Sequence, residues 1–141
     1  MSNYTIERLS EENLEYFIRL FKEISGYTPS REDVIRKFSF LENTDLQYMG
    51  FLAFDDSRKP AACYEVFPVV YNIKGRLVLC AKSGSTMTGA AHRGKGLFIS
   101  LARQTYKLAA DFKLEYVFST PNSQSHHGFA TKLNWTMPYR A

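Results

Sequence analysis

The chain has 141 residues, a formal net charge of +4 and 15% aromatic side chains. That length suits one domain, residues 1–141, with a core large enough to stand without disulfide or metal. The small positive excess favours an anionic small ligand, but it is too weak to argue for nucleic acid without a matching motif, and no run approaches the ~20 apolar residues of a membrane span.

Met1 to Ser10 lacks the apolar segment of a secretory signal. Within it, Tyr4 to Leu9 alternates apolar and polar residues and is expected as a first strand. Ser10 is the expected N-cap of a helix that places Leu14, Phe17, Ile18, Phe21 and Ile24 on one face. Gly26 should end it, with Pro29 just beyond. Ser30, with Asp33 three places on, is expected to cap a second helix through Val34, Ile35 and Phe38, extending towards Leu41. Asn43-Thr44-Asp45 breaks the pattern.

Tyr48 to Phe54 is expected as the second strand, Asp55-Asp56-Ser57 as a turn, and Ala61 to Tyr71 as the third strand. Lys74-Gly75 marks a hairpin turn, and Leu77 to about Thr88 is the returning fourth strand. Phe38, Phe40, Tyr48, Phe51 and Phe54 are expected in the core. From Gly94 the period changes: Leu97, Leu101, Thr105, Leu108 and Phe112 share a helix face, widened by Phe98, Ala102 and Ala109. Arg103, Lys107 and Lys113 are expected on its solvated side. Leu114 to Thr120 is the fifth strand, Ser125 to Leu133 a short helix and Trp135 to Tyr139 a last extended piece. A hairpin-rich front half followed by strand-helix-strand predicts an α/β fold with a mixed sheet. Cys63 and Cys80 sit in strand-like apolar runs without C-x-x-C or zinc spacing, which reads as buried free thiols in a reducing, cytoplasmic setting.

The segment Thr86 to Phe98 carries the chemistry. A strand ends, a turn with Gly89, Gly94 and Gly96 follows, and a long helix begins. The first N–H groups of a helix have no partner inside it, and they carry the positive end of its dipole. Glycines let a phosphate approach such a backbone closely. Arg93 and Lys95 add charge there. Neither a G-x-x-x-x-G-K-S/T loop nor a G-x-G-x-x-G fingerprint is present.

Arg93-Gly94-Lys95-Gly96 resembles motif A of the GNAT acetyltransferases, Q/R-x-x-G-x-G/A, with Phe98 where Gly or Ala is usual. The form R-G-K-G-L-F is similar to a branch linked to sugar and surface-polysaccharide modification. Phe118, Pro121, Asn122, Ser125, Gly128, Phe129, Lys132, Leu133 and Trp135 also match that branch's F-x-x-P-N-x-x-S-x-x-G-F-x-x-K-L-G-W ending, with Asn134 replacing its glycine.

The resemblance implies a mixed, mostly antiparallel twisted sheet with flanking helices. It implies acetyl-CoA held where strands four and five splay apart. Met87 and Thr88 would supply the strand edge, Arg93, Gly94, Lys95, Gly96, Leu97 and Phe98 the pyrophosphate loop, and Asn122, with Ser125, the contact to the pantetheine arm. No metal is expected: His126-His127 has no third ligand at suitable spacing. The implied acceptor is a small-molecule amine, with an amino sugar as first expectation.

A base and an acid are needed. Glu65, in an apolar strand, is the leading base, ahead of Tyr64 and His92. It is either desolvated, with a raised pKa, or on a water-facing side of the sheet. Where many relatives place an acidic tyrosine in the last helix, this chain has Ala130, so Ser125, His126, His127 or water must protonate the leaving thiolate. A GNAT domain also ends in a hairpin, yet six residues follow Trp135. Strand seven is expected from a partner in a homodimer, or from a longer chain of which this is a piece. The competing reading is a CoA-binding domain without turnover, acting as a sensor or subunit. A nucleic-acid module has no motif in its favour.

Overall fold

The computed structural model describes residues 3–118. It contains β1 (Thr5–Arg8), α1 (Leu14–Ser25), α2 (Arg31–Phe38), β2 (Gly50–Phe54), β3 (Pro60–Ile73), β4 (Arg76–Thr88), α3 (Leu97–Asp111) and β5 (Tyr116–Phe118). The strands form one sheet in chain order. Its first three pairings are antiparallel, and β5 joins β4 in parallel, Cys80 opposite Tyr116 and Lys82 opposite Phe118.

Strand alternation divides the core into two layers. Leu52, Phe54, Cys63 and Met87 face α1 and α2, where they meet Leu14, Phe17, Leu20, Val34 and Phe38. Ala53, Ala62, Tyr64, Val66 and Ala81 face α3 and meet Leu97, Leu101, Ala102 and Ala109. Arg103 and Lys107 lie on the outer side of α3, exposed to solvent. Both cysteines are free and buried.

Local chemistry sets the ends of the elements. Gly26 closes α1 in the left-handed region at φ 78°, its N–H on Lys22 O, and Ser30 Oγ accepts from Asp33 N–H to open α2. Lys74 and Gly75, at φ 52° and 83°, make the tight turn that lets β3 and β4 pair out to Ile73 and Arg76. The start of α1 differs from the expectation. Its N-cap is Asn13, not Ser10, because the Asn13 amide is occupied outside the helix: Oδ1 accepts from Ser10 N–H and Nδ2 donates to Arg8 O, both at 2.9 Å. Phe40 is not in the core either; α2 stops at Phe38, and Phe40 is 55% exposed. The expected helix from Ser125 and the last extended piece lie outside the described residues.

One irregularity positions the site. Tyr64 pairs with Thr86 and Val66 with Ser83, so Glu65 alone opposes both Gly84 and Ser85. The extra residue makes a β-bulge in β4.

Candidate functional site

Glu65 is fully buried, on the α1/α2 face between Cys63 and Phe67. The bulge turns the Ser85 N–H away from β3's backbone and towards the carboxylate, where it donates to Oε1 at 2.9 Å. Cys63 Sγ lies 3.6 Å from Oε2 as a weak donor. Burial raises Glu65 to about 7; the Ser85 N–H, the Lys37 charge and the Cys63 thiol pull the other way without cancelling it. The same burial, with the neighbouring carboxylate, pushes the Cys63 thiol well up, so Cys63 stays protonated. Of the two settings open to Glu65 in the sequence, the structure has the desolvated one.

Two glycines make room for it. At Gly50 an added Cβ would overlap Tyr64 O and stand 2.6 Å from Glu65 Cβ. At Gly84 it would stand 2.6 Å from Phe67 Cε2 and 2.8 Å from Glu65 Oε1. On the opposite face, the Tyr64 hydroxyl meets Ser83 Oγ at 2.6 Å and the Tyr106 hydroxyl of α3 at 3.0 Å. Tyr64 is raised to about 12, chiefly by burial, and is a neutral phenol at physiological pH.

β4 then runs into the glycine segment. Met87 is buried among the α1/α2 residues and Thr88 is half-buried; they pair with Cys63 and Ala62 of β3. β5 runs beside β4 from Cys80 to Lys82, where the described residues end at Phe118. Arg93, Gly94, Lys95 and Gly96 are exposed, Leu97 is buried under α3 and Phe98 is half-buried, edge-on to Tyr64. Gly94 and Gly96 are both left-handed, at φ 77° and 75°. A Cβ at either would touch nothing within 4 Å, so the space over the loop is open. Gly96 is the N-cap of α3 and, as a glycine, offers that helix no side-chain cap.

Open space, a 15-residue helix with glycine at its N-cap and exposed Arg93 and Lys95 suit a phosphorylated group. Among the described residues no group of three metal-ligating side chains occurs, and no helix is long and apolar enough to cross a membrane. Asn122, Ser125, His126, His127 and Ala130 lie outside the described residues. Sequence reading missed the surroundings of His92: Tyr4 Oη lies 2.9 Å from its Nδ1, although 88 positions separate the two residues. No spacing signal reaches across such a distance.

The model of the acetyltransferase (GNAT) domain matches residues 5–137. No curated protein matches the sequence. Among solved structures, glucosamine-6-phosphate N-acetyltransferase from Arabidopsis thaliana superposes with a TM-score of 0.78 at 14% identity, over 99% of this chain and 95% of that one. An aminoglycoside 6'-N-acetyltransferase from Acinetobacter baumannii gives 0.71 at 19%, over 99% and 95%. A transcriptional regulator from Bacillus halodurans gives 0.74 at 14%, over 99% and 97%. At these identities the likeness speaks for the fold.

Proposed function

The chain belongs to the GNAT acetyltransferase family, and on that premise we propose that residues 1–141 act as one domain transferring an acetyl group from acetyl-CoA to the primary amine of a small molecule, an amino sugar first among the candidates. The observation that carries the reading is the continuity of one strand. β4 bulges over a desolvated carboxylate, then leads directly into an open glycine loop whose Gly96 is the N-cap of α3. The solved glucosamine-6-phosphate and aminoglycoside acetyltransferases with this fold support an amine on a sugar-like acceptor. A second copy is the proposed partner at the far edge of the sheet, and the cytoplasm is the proposed location.

Acetyl-CoA, when bound, supplies the thioester carbonyl and the thiol that leaves. Gly94, Lys95, Gly96, Leu97 and Phe98 would hold its pyrophosphate with backbone N–H groups, and Arg93 and Lys95 would add charge. Met87 and Thr88 would line its arm, with Asn122 and Ser125 completing the contact.

Glu65 is the proposed general base. A carboxylate near 7 accepts a proton from an ammonium acceptor at physiological pH far better than one at its ordinary value. Its complete burial requires a water relay to the amine. Ser85 N–H holds the carboxylate in place and stabilises its charged form. Ser125 and His127 are the proposed proton donors to the leaving thiolate.

Calorimetry with acetyl-CoA on the wild type and on Gly96→Glu tests the cofactor site, and thioester consumption with a panel of amino sugars tests turnover. Binding lost in the variant, with amine-dependent CoA release in the wild type, is the expected outcome. Ala130, in place of the family's usual tyrosine, favours a second reading: a CoA-binding domain without turnover. Tight binding with no CoA release across the panel would select it.

A further inference from the structure

The glycine loop does not stand alone against solvent. His92, at the end of a short 3-10 turn (Ala90–His92), is half-buried between two other parts of the fold. Its Nδ1 shares a hydrogen bond with Tyr4 Oη, just before β1, at 2.9 Å. The two rings also meet edge to face, with centroids 5.6 Å apart. On the other side, His92 Nε2 is 3.9 Å from Asp55 Oδ2, in the turn between β2 and β3.

Asp55 is itself anchored. Its Oδ1 accepts the N–H groups of Ser57 at 2.8 Å and Lys59 at 3.0 Å, and these bonds chiefly hold its carboxyl below the ordinary value. The second oxygen is left to face the imidazole. One further carboxylate approaches from α1: Glu23 Oε2 and His92 Cδ2 lie 3.0 and 3.4 Å from the point where a Cβ on Gly89 would sit. Asp56 and Lys95 line the same cavity of about 230 Å³ as Tyr4, Asp55 and His92. The loop's start is fixed independently, by Gly89 N–H to Ala61 O at 2.8 Å.

We propose that His92 is the positioning residue of the glycine loop: clamped between Tyr4 and Asp55, it holds the segment from Gly89 to Gly96 in the orientation that presents the first N–H groups of α3 to a phosphorylated cofactor. The reason is geometric. Gly94 and Gly96 give the loop backbone freedom, and the glycine at the N-cap of α3 has no side chain of its own to hold that end. A loop so free must be held from its other side if its N–H groups are to be aimed in advance, because ordering it on binding would weaken affinity. His92 does this without touching substrate. The cofactor part of the proposal rests on the acetyl-CoA reading above.

Three variants separate the contacts. Tyr4→Phe removes one hydroxyl and keeps the ring. Asp55→Asn keeps the oxygen that anchors its own turn and removes the charge facing His92. His92→Gln removes the clamp. Amide hydrogen exchange of Arg93 to Leu97 in the ligand-free protein is expected to speed up about fivefold or more in His92→Gln, and less in the single-contact variants, with β3 amides unchanged. The dissociation constant and the KM for acetyl-CoA should rise by about the same factor, with kcat at saturation within about twofold of wild type. Unchanged loop exchange in His92→Gln overturns the clamp. Faster loop exchange with unaltered affinity overturns its role in aiming the loop. A wild type that binds no acetyl-CoA would sink the cofactor reading, while the exchange measurement would still decide whether His92 holds the loop.

Discussion

Ser85 N–H donates to Glu65 Oε1 at 2.9 Å, which joins the bulge of β4 and the buried carboxylate of β3 into one unit. The bulge leaves a backbone donor without a strand partner, and the carboxylate fills that place. Removal of either would leave a buried polar group unsatisfied, at a cost of about 1–3 kcal/mol.

Stability should therefore depend on pH in a particular direction. Glu65 is raised from 4.5 to about 7 in the folded chain. Between those values the folded state holds a proton that the unfolded state has released. Glu65 thus favours folding most below about 4.5; stability falls as pH climbs and levels off above about 7, by up to about 3 kcal/mol. Glu65→Gln should abolish this slope, so that at about pH 8 the variant unfolds in more denaturant than the wild type. A slope that survives in the variant would assign it to another group.

The same substitution should act oppositely on catalysis. As the proposed base, Glu65 would work only when ionised, so kcat/KM of the wild type should rise with pH through about 7. Glu65→Gln should lose that limb and lower kcat by about 10²- to 10⁴-fold. Steady-state rates across the pH range, set beside the denaturation curves, will show whether stability and activity separate.

Gly50 and Gly84 should differ in their tolerance of a methyl group. At Gly50 the added Cβ meets backbone and Cβ atoms of a paired strand, which have nowhere to go. At Gly84 it meets the edge of the half-buried Phe67 ring and a carboxylate oxygen. Gly50→Ala should cost about 3 kcal/mol or more, and Gly84→Ala nearer about 1 kcal/mol with a disproportionate loss of kcat. Equal destabilisation with intact activity in Gly84→Ala would separate the bulge from the chemistry.

On the other face, Tyr64→Phe leaves Ser83 and Tyr106 without the hydroxyl that bridges them. The expected loss is about 1 kcal/mol, a fall in Tm of roughly 2–6 °C, with acetyl-CoA affinity unchanged. A fall in kcat without a fall in Tm would instead give this hydroxyl a part in the reaction.

Where the sequence was legible, one stretch of chain held the whole signal. Gly26 after an amphipathic run, Ser30 before one, and Lys74-Gly75 between two β-rich runs each act locally, and the elements follow them. The glycine loop is legible for the same reason. Ser10 misleads because a more remote demand wins: the Asn13 side chain ties the chain back to Arg8, and the helix can begin only after it. Glu65 could be singled out as an acid in an apolar strand, but its burial depends on Gly50 and on the bulge at Gly84 and Ser85, which are facts of register. The contact between His92 and Tyr4 is further out of reach, since only the completed sheet brings the two together.

Strand order equal to chain order also shapes how the molecule assembles. From β2 to β4 each strand finds its partner across a short turn, so these contacts form at small loop-closure cost. The parallel partner β5 must wait until α3 has been made and laid across the sheet. The hairpin carrying Glu65 and the bulge can thus mature before the parallel strand arrives. During synthesis Glu65 should be sheltered in its pocket while the loop that follows is still emerging from the ribosome.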